Sequence, residues 1–511
     1  MVAINHTHDP AARSWVARAN RPDGDFPIQN LPFAVFQRPD EQHHWRGGVA
    51  IGDQIVDMHA LGDAALLEGA AAAALRACLS PSLNALFRLG PTAWRALRHG
   101  LFDLLKEGAP PAGRDAVAAC LVPREDAIFK VAVDVGDYTD FYTSLFHADN
   151  IGRAMGLELV TPNFRWMPLA YHGRASSIGV SGRQVRRPLG QAKPPGAVIP
   201  QLQACQRLDY EAELAIYIGQ GNAAGERVPI DEAEDKVFGI GLHNDWSARD
   251  IQVWEQAPLG PFLAKNFATS VSPWIVTLEA LAPFRAAVSR PDGDSPPLPY
   301  LDSDRNRTSG CFDIVLEVRL GTARQREAGR LPRRVSVTSF RHQYWTVAQM
   351  IAHHTVNGCN LQIGDVIGSG TVSGPGEGEA GALIELSKAG NAPVPLGAGE
   401  ERAFLEDGDT VTLSGYCAKD GFARIGFGDE SNRLRDPHQA LRGSKRFHAL
   451  LDQRSRRLDG EDGHGRQNSF VCHRQPDGRA DHDHTRPRRR PQRPDKSRDL
   501  PNIDERSSSG L

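Results

Sequence analysis

Between residues 121 and 430 the chain keeps returning to one pattern. Short apolar, β-branched runs alternate with turns carrying glycine and proline. Examples are Ala127 to Val133, Glu211 to Gly219, Trp274 to Leu278, Phe312 to Leu320, Asp365 to Ile367 and Thr410 to Thr412. Runs of this length bounded by turn residues read as strands. Thr346 to Thr355 reads as a helix. The balance predicts a mainly β, α+β domain and excludes a regular βαβ repeat.

The flanks differ from this middle. Residues 1–120 form a candidate N-terminal module. Leu31 to Phe36 and Gly47 to Asp57 read as short strands, while Leu61 to Leu79 and Pro91 to Lys106 read as helices. His43 and His44 read as exposed loop. The catalytic domain is expected over 121–434. From 435 to 511 the chain is rich in Arg, Asp, His, Pro and Ser and poor in large apolar residues. Such a segment buries too little apolar surface to offset its ordering entropy, so a disordered charged tail is expected.

Composition narrows the function classes. Lys and Arg total 59 against 62 acidic residues, a formal charge of -3. That balance gives no reason to expect a nucleic-acid partner. No apolar run reaches the roughly 18 residues a membrane helix needs, and Met1 to Pro27 lacks the apolar core of a secretory signal. Cys78, Cys120, Cys205, Cys311, Cys359, Cys417 and Cys472 are scattered and odd in number. They fit reduced, mostly buried thiols and a cytoplasmic location.

Five segments carry chemistry. In Asp209 to Ile218, Glu211 and Glu213 lie two apart on a strand, roughly 6.6 Å along one face. Ala212, Leu214, Ile216 and Ile218 take the other face. Paired carboxylates repel unless a cation or proton lies between them, so this face is either solvated or a cation site. His243 to Gln252 reads as a turn entering a helix, in which Asp245 and Arg249 are spaced for an ordinary helical ion pair. Pro258 to Thr269 delivers an isolated Lys265. Gly136 to Ala148 gathers Asp140, Tyr142 and His147, and Tyr171 to Ser177 is a polar glycine turn. Gly368 to Pro375 precedes an apolar strand in which Glu385 is a lone carboxylate, unfavourable unless paired.

Taken in order, these segments resemble the fumarylacetoacetase family. The match rests on DYTDFYTSLFHADNIG, YHGRASS, LDYEAELAIYIG, NDWSARDIQ, PLGPFLAKNFATSVSPW, YWTVAQMIAHHTVNGCNLQIGD, GSGTVSGP and SGYCAKDGFARIGFG, spanning roughly residues 15 to 430. The resemblance implies a small SH3-like N-terminal barrel, a β-roll catalytic domain and a homodimer. It implies metal-dependent hydrolysis of the carbon–carbon bond of 4-fumarylacetoacetate to fumarate and acetoacetate, the last step of tyrosine and phenylalanine catabolism. Asp140, Glu211, Glu213 and Asp245 then match metal-binding carboxylates, with Lys265 and Thr269 beside the metal. An all-oxygen set favours Mg²⁺ or Ca²⁺. His147 matches the general base and Glu385 its orienting partner. Arg249, Gln252 and Lys265 match groups around the developing oxyanion. Tyr142, Tyr171, Arg249, Gln252 and Thr371 match substrate contacts, with Gly370 and Thr371 on the loop that lines the substrate. Two positions depart from the family pattern. Gly156 stands where an arginine is usual, with Arg153 a candidate substitute, and Gln256 stands where a tyrosine is usual. The alternatives are an acylpyruvate-type hydrolase of the same superfamily and a non-catalytic binding protein.

Overall fold

The computed structural model describes residues 3–156 and 160–435. Residues 436–511 lie outside the described set, and with them nearly all of the segment read as a disordered tail.

The N-terminal strands form a five-stranded sheet in the order Leu121–Pro123, Gln54–Asp57, Arg46–Ile51, Phe33–Gln37 and Ile128–Lys130. All its pairings are antiparallel. The helical stretch predicted over Leu61 to Leu79 divides in two, Met58–Asp63 and Gly69–Ala77. Asp57 caps the first through its side chain, and Gly69, at φ +55, begins the second. The helix Pro91–Leu105 starts on proline, as predicted, and buries Trp94, Leu97, Leu101 and Leu105 along one stripe. These residues pack into one core with Ala215, Tyr217, Phe238 and Val366 from the larger sheet and with Ile275, which bridges to Phe33.

That larger sheet has eight strands. Its path runs Leu169–His172, Tyr138–Tyr142, Val366–Gly368, Ala212–Ile218, Val237–Asp245, Thr269–Val271 and Ile178–Val180. Val276–Thr277 pairs beside Val237–Asp245. The central strand Ala212–Ile218 alternates as its sequence predicts. Leu214, Ile216 and Ile218 enter one core cluster, while Ala215 and Tyr217 enter another. A five-stranded sheet containing Val315–Gly321, Thr410–Cys417 and Ile425–Arg435 packs over the first face through Leu316, Val318, Leu413 and Phe427. The helix Val347–Thr355 is set by a capping box between Thr346 and Gln349. The described chain is thus a sheet-rich α+β fold. Cys78, Cys120, Cys205, Cys311 and Cys417 are free and buried, and Cys359 is exposed. His43 and His44 are exposed.

Candidate active site

Sheet register assembles the acidic cluster. Glu213 stands opposite His243, and Asp245, the last residue of its strand, stands opposite Thr269. Gly368 pairs with Ala215 on one side and Asp140 on the other. A side chain at 368 would meet Asp140 Oδ1 at 2.3 Å, so a glycine here leaves this carboxylate its place against the strand. Asp140, Glu213 and Asp245 thereby bring ligand atoms within 4.8 Å of one another, all buried.

Each of the three presents one oxygen with no hydrogen-bond partner: Asp140 Oδ1, Glu213 Oε1 and Asp245 Oδ1. Other oxygens of the cluster are tied back. Glu213 Oε2 accepts from Gly370 N–H at 3.1 Å and lies 3.1 Å from His243 Nδ1. Asp245 Oδ2 accepts from Lys265 Nζ at 2.5 Å and from the Tyr171 hydroxyl at 3.1 Å. Burial, then the charges of Glu213 and Asp245, pushes the Asp140 carboxyl well above the usual carboxylate range. Burial, then Asp245 and Glu211, does the same to Glu213. Three orphaned oxygens on mutually repelling carboxylates fit a hard divalent cation, which would reverse both shifts.

Glu211 is held differently. Its Oε1 lies 2.8 Å from Arg249 Nη2, and its Oε2 accepts from Lys265 Nζ. Burial alone would raise its pKa, but Lys265, Arg249 and His147 outweigh burial and hold it below the usual range. Lys265 thus bridges Glu211 and Asp245. Arg249 Nε donates to Asp209 Oδ2 at 2.9 Å, and Arg249 Nη1 donates to Gln252 Oε1 at 3.2 Å. With its oxygen engaged, Gln252 has its NH₂ free to donate, and this side chain lines the cavity.

His147 lies in the first turn of the helix Leu145–Met155, whose N-cap Ser144 accepts from its backbone N–H. Its Nδ1 is 2.6 Å from Glu385 Oε1. A carboxylate cannot donate, so Nδ1 carries a proton, which leaves Nε2 as the nitrogen able to serve as a base. Nε2 sits 3.7 Å from Glu211 Oε1. Glu385 is itself fixed, accepting from Ser373 Oγ at 2.9 Å and from Asn150 Nδ2 at 2.9 Å.

Asp140, Tyr142, His147, Tyr171, Glu211, Glu213, Arg249, Gln252, Gln256, Lys265, Gly370 and Thr371 line one cavity, with Phe141, Ile151, Val253, Pro261 and Ile384 as its apolar wall. Gly370 sits at φ +75, and a Cβ there would meet Phe141 O at 2.3 Å, so the loop passes this close only as glycine.

Two profiles match the chain. One, described as fumarylacetoacetate hydrolase C-terminal, covers residues 138–435; the other, fumarylacetoacetase N-terminal, covers 29–132. The fumarylacetoacetase of Caenorhabditis elegans is 47% identical over 414 residues, 80% of this chain and 96% of that protein. The Homo sapiens fumarylacetoacetase is 44% identical over 417 residues, 81% and 96%. That of Arabidopsis thaliana is 43% identical over 416 residues, 81% and 96%. The chain belongs to the fumarylacetoacetate hydrolase family.

Against the family expectation the structure adds detail and some corrections. Asp140, Glu213 and Asp245 form the acidic cluster, whereas Glu211 lies beside it under two cations. Thr269 is buried on the next strand, level with Asp245. Asp245 and Arg249 do not form a helical pair. Asp245 ends a strand and Arg249 begins the helix Arg249–Glu255, so the arginine turns to Asp209 and Glu211. Glu385 lies on the short helix Leu383–Leu386, not on a strand. Asp209 holds that turn by accepting from Leu383 N–H at 2.9 Å and Ile384 N–H at 3.2 Å. Arg153, the candidate substitute for the arginine expected at Gly156, pairs with Asp149, its side chain 78% exposed and not among the residues lining the cavity. Gly156, at φ +65, ends its helix in the left-handed conformation. Asp209, Asn150, Ser373 and His243 carry no individual signal in the sequence. Only their crowding around the motifs marked them.

Proposed function

We propose that this protein hydrolyses the carbon–carbon bond of 4-fumarylacetoacetate, yielding fumarate and acetoacetate at the end of tyrosine and phenylalanine degradation. The observation that carries this reading is one cavity lined by an oriented imidazole base and by Asp140 and Glu213, two of the three carboxylates with orphaned oxygens. The fumarylacetoacetase identity of relatives aligned over almost their whole length supports the substrate.

Asp140, Glu213 and Asp245, with Glu211 and Lys265 adjoining and Thr269 on the neighbouring strand, would hold Mg²⁺ or Ca²⁺. A bound divalent cation supplies Lewis-acid polarisation of a 1,3-dicarbonyl and charge stabilisation of the departing enolate. The chain's own residues do the rest. His147 Nε2 takes a proton from water, and Glu385 stabilises the resulting imidazolium. The hydroxide oxygen bonds to the ketone carbon of the fumaroyl group itself, the carbon that ends as a fumarate carboxylate. Arg249, the Gln252 amide and Lys265 face the alkoxide that forms, a donor set in which one lost member typically costs about 10²- to 10³-fold in kcat. As the carbonyl re-forms, the carbon–carbon bond breaks and its electron pair leaves with acetoacetate as the enolate. The proton on His147 is returned to that carbon. Tyr142 packs edge-on to His147 with ring centroids 5.7 Å apart, and Tyr171 is anchored on Asp245, so both place hydroxyls along the substrate's path.

The chain also carries an exposed apolar patch beside this cavity. Val253, Trp254, Leu259, Phe262 and Leu263 are all exposed, Leu259 at 95%. We infer that a second copy covers it, giving a homodimer. Buried free thiols support a reducing, cytoplasmic setting. No described helix is long and apolar enough to cross a membrane. The test of the reaction is product analysis. Fumarate and acetoacetate in equal amounts support it, and turnover of an acylpyruvate alone would reassign the substrate.

A further inference from the structure

His243 is fully buried and lies outside the cavity wall, yet it touches the acidic cluster. Its Nδ1 is 3.1 Å from Glu213 Oε2, and its Nε2 is 3.2 Å from the Tyr138 hydroxyl. With a cation bound, Glu213 is an ionised carboxylate that accepts only, so Nδ1 bears the proton and donates to it. Nε2 then accepts from the Tyr138 O–H. The order of donation runs one way, Tyr138 to His243 to Glu213, and ends on the oxygen that also receives Gly370 N–H. With Oε2 doubly satisfied, Glu213 is locked in the rotamer that leaves Oε1 bare among the neighbouring carboxylates. Gly173 closes the far end. A Cβ there would fall 2.1 Å from the Tyr138 ring, so the glycine of the YHGR turn is what lets that ring reach His243.

We propose that His243 is a positioning residue of the cation site, setting the affinity for a hard divalent cation by orienting Glu213 while never contacting cation or substrate itself. This rests on the cation reading of Asp140, Glu213 and Asp245. Outer hydrogen-bond partners of a ligand typically carry 10- to 100-fold in metal affinity.

The experiment is calorimetric titration of chelator-treated, full-length protein with Mg²⁺ and with Ca²⁺. His243→Leu removes the donor. His243→Asn keeps an N–H near the Nδ1 position. Tyr138→Phe removes only the outer link. Expected is a 10- to 100-fold weaker cation Kd in H243L, near-parent binding in H243N, and kcat at saturating cation within a few-fold of the parent in both. Tyr138→Phe weakens binding in the parent but adds nothing in H243L, because its effect passes through the imidazole. Equal Kd in H243L and the parent, or a Tyr138→Phe effect undiminished by H243L, overturns the proposal. If H243L does not fold, the Kd of H243N and Y138F decides alone, with unchanged binding in Y138F overturning it. A parent that binds neither cation defeats the underlying cation reading instead, so the two failures are separate.

Discussion

At the residue scale the account depends on which atom carries which proton. His147 is aimed by a carboxylate that itself accepts from Ser373 and Asn150, so the base is preorganised before substrate arrives. His147→Ala is expected to abolish turnover while calorimetry still reads cation binding. Near-normal kcat would remove His147 as the base. Glu385→Gln keeps the shape but no longer accepts as a charged partner and can fix the wrong tautomer. By analogy with other carboxylate–histidine pairs, kcat falls about 10³- to 10⁴-fold with little change in KM. Glu213→Ala should lower cation affinity and turnover together, which a titration of rate against cation concentration would separate from a loss of the base.

At the scale of elements, strands place the chemistry and short helices aim it. The site was legible in sequence where local periodicity governs. The two-residue repeat of Ala212 to Ile218 put Glu211 and Glu213 together, and the Thr346–Gln349 box gave the start of its helix. Spacing alone is ambiguous where a segment has two backbones to choose from. Asp245 and Arg249 are four apart, but a strand ends at the first and a helix starts at the second. The site was invisible where register across the sheet sets the partner, as for His243 with Glu213, or Asp209 with a helix turn 174 positions away. One element carries a pH consequence remote from catalysis. Glu430, fully buried on the strand Ile425–Arg435 and accepting from Asn432 Nδ2, is pushed up to about 8 by burial, against the opposing pull of the Arg183 charge. The folded chain therefore keeps a proton that the unfolded chain loses above its ordinary value of 4.5. Stability from this group is fully present at low pH and declines as pH rises from there through 8, by at most about 1.4 kcal/mol per pH unit. Glu430→Gln should flatten that decline. Equal pH dependence of Tm in parent and variant between pH 5 and 8 would refute it.

For the whole molecule, the two large sheets share one core, and the N-terminal helices share another with the sheet that carries the carboxylates. Activity should therefore be confined to residues the family profiles span, which end at Arg435. Ending the chain near residue 440 is expected to leave kcat/KM within about two-fold of the full chain; a larger fall would give residues beyond 440 a role in the site. The central claim joins cation, base and substrate in one cavity. It is tested most directly by following the loss of fumarylacetoacetate absorbance with chelator-treated protein, before and after adding Mg²⁺ or Ca²⁺. The account predicts no turnover without cation, and cation-dependent turnover releasing fumarate and acetoacetate in a one-to-one ratio. Undiminished turnover after complete cation removal, or a folded and cation-loaded protein that leaves the substrate intact, would contradict it.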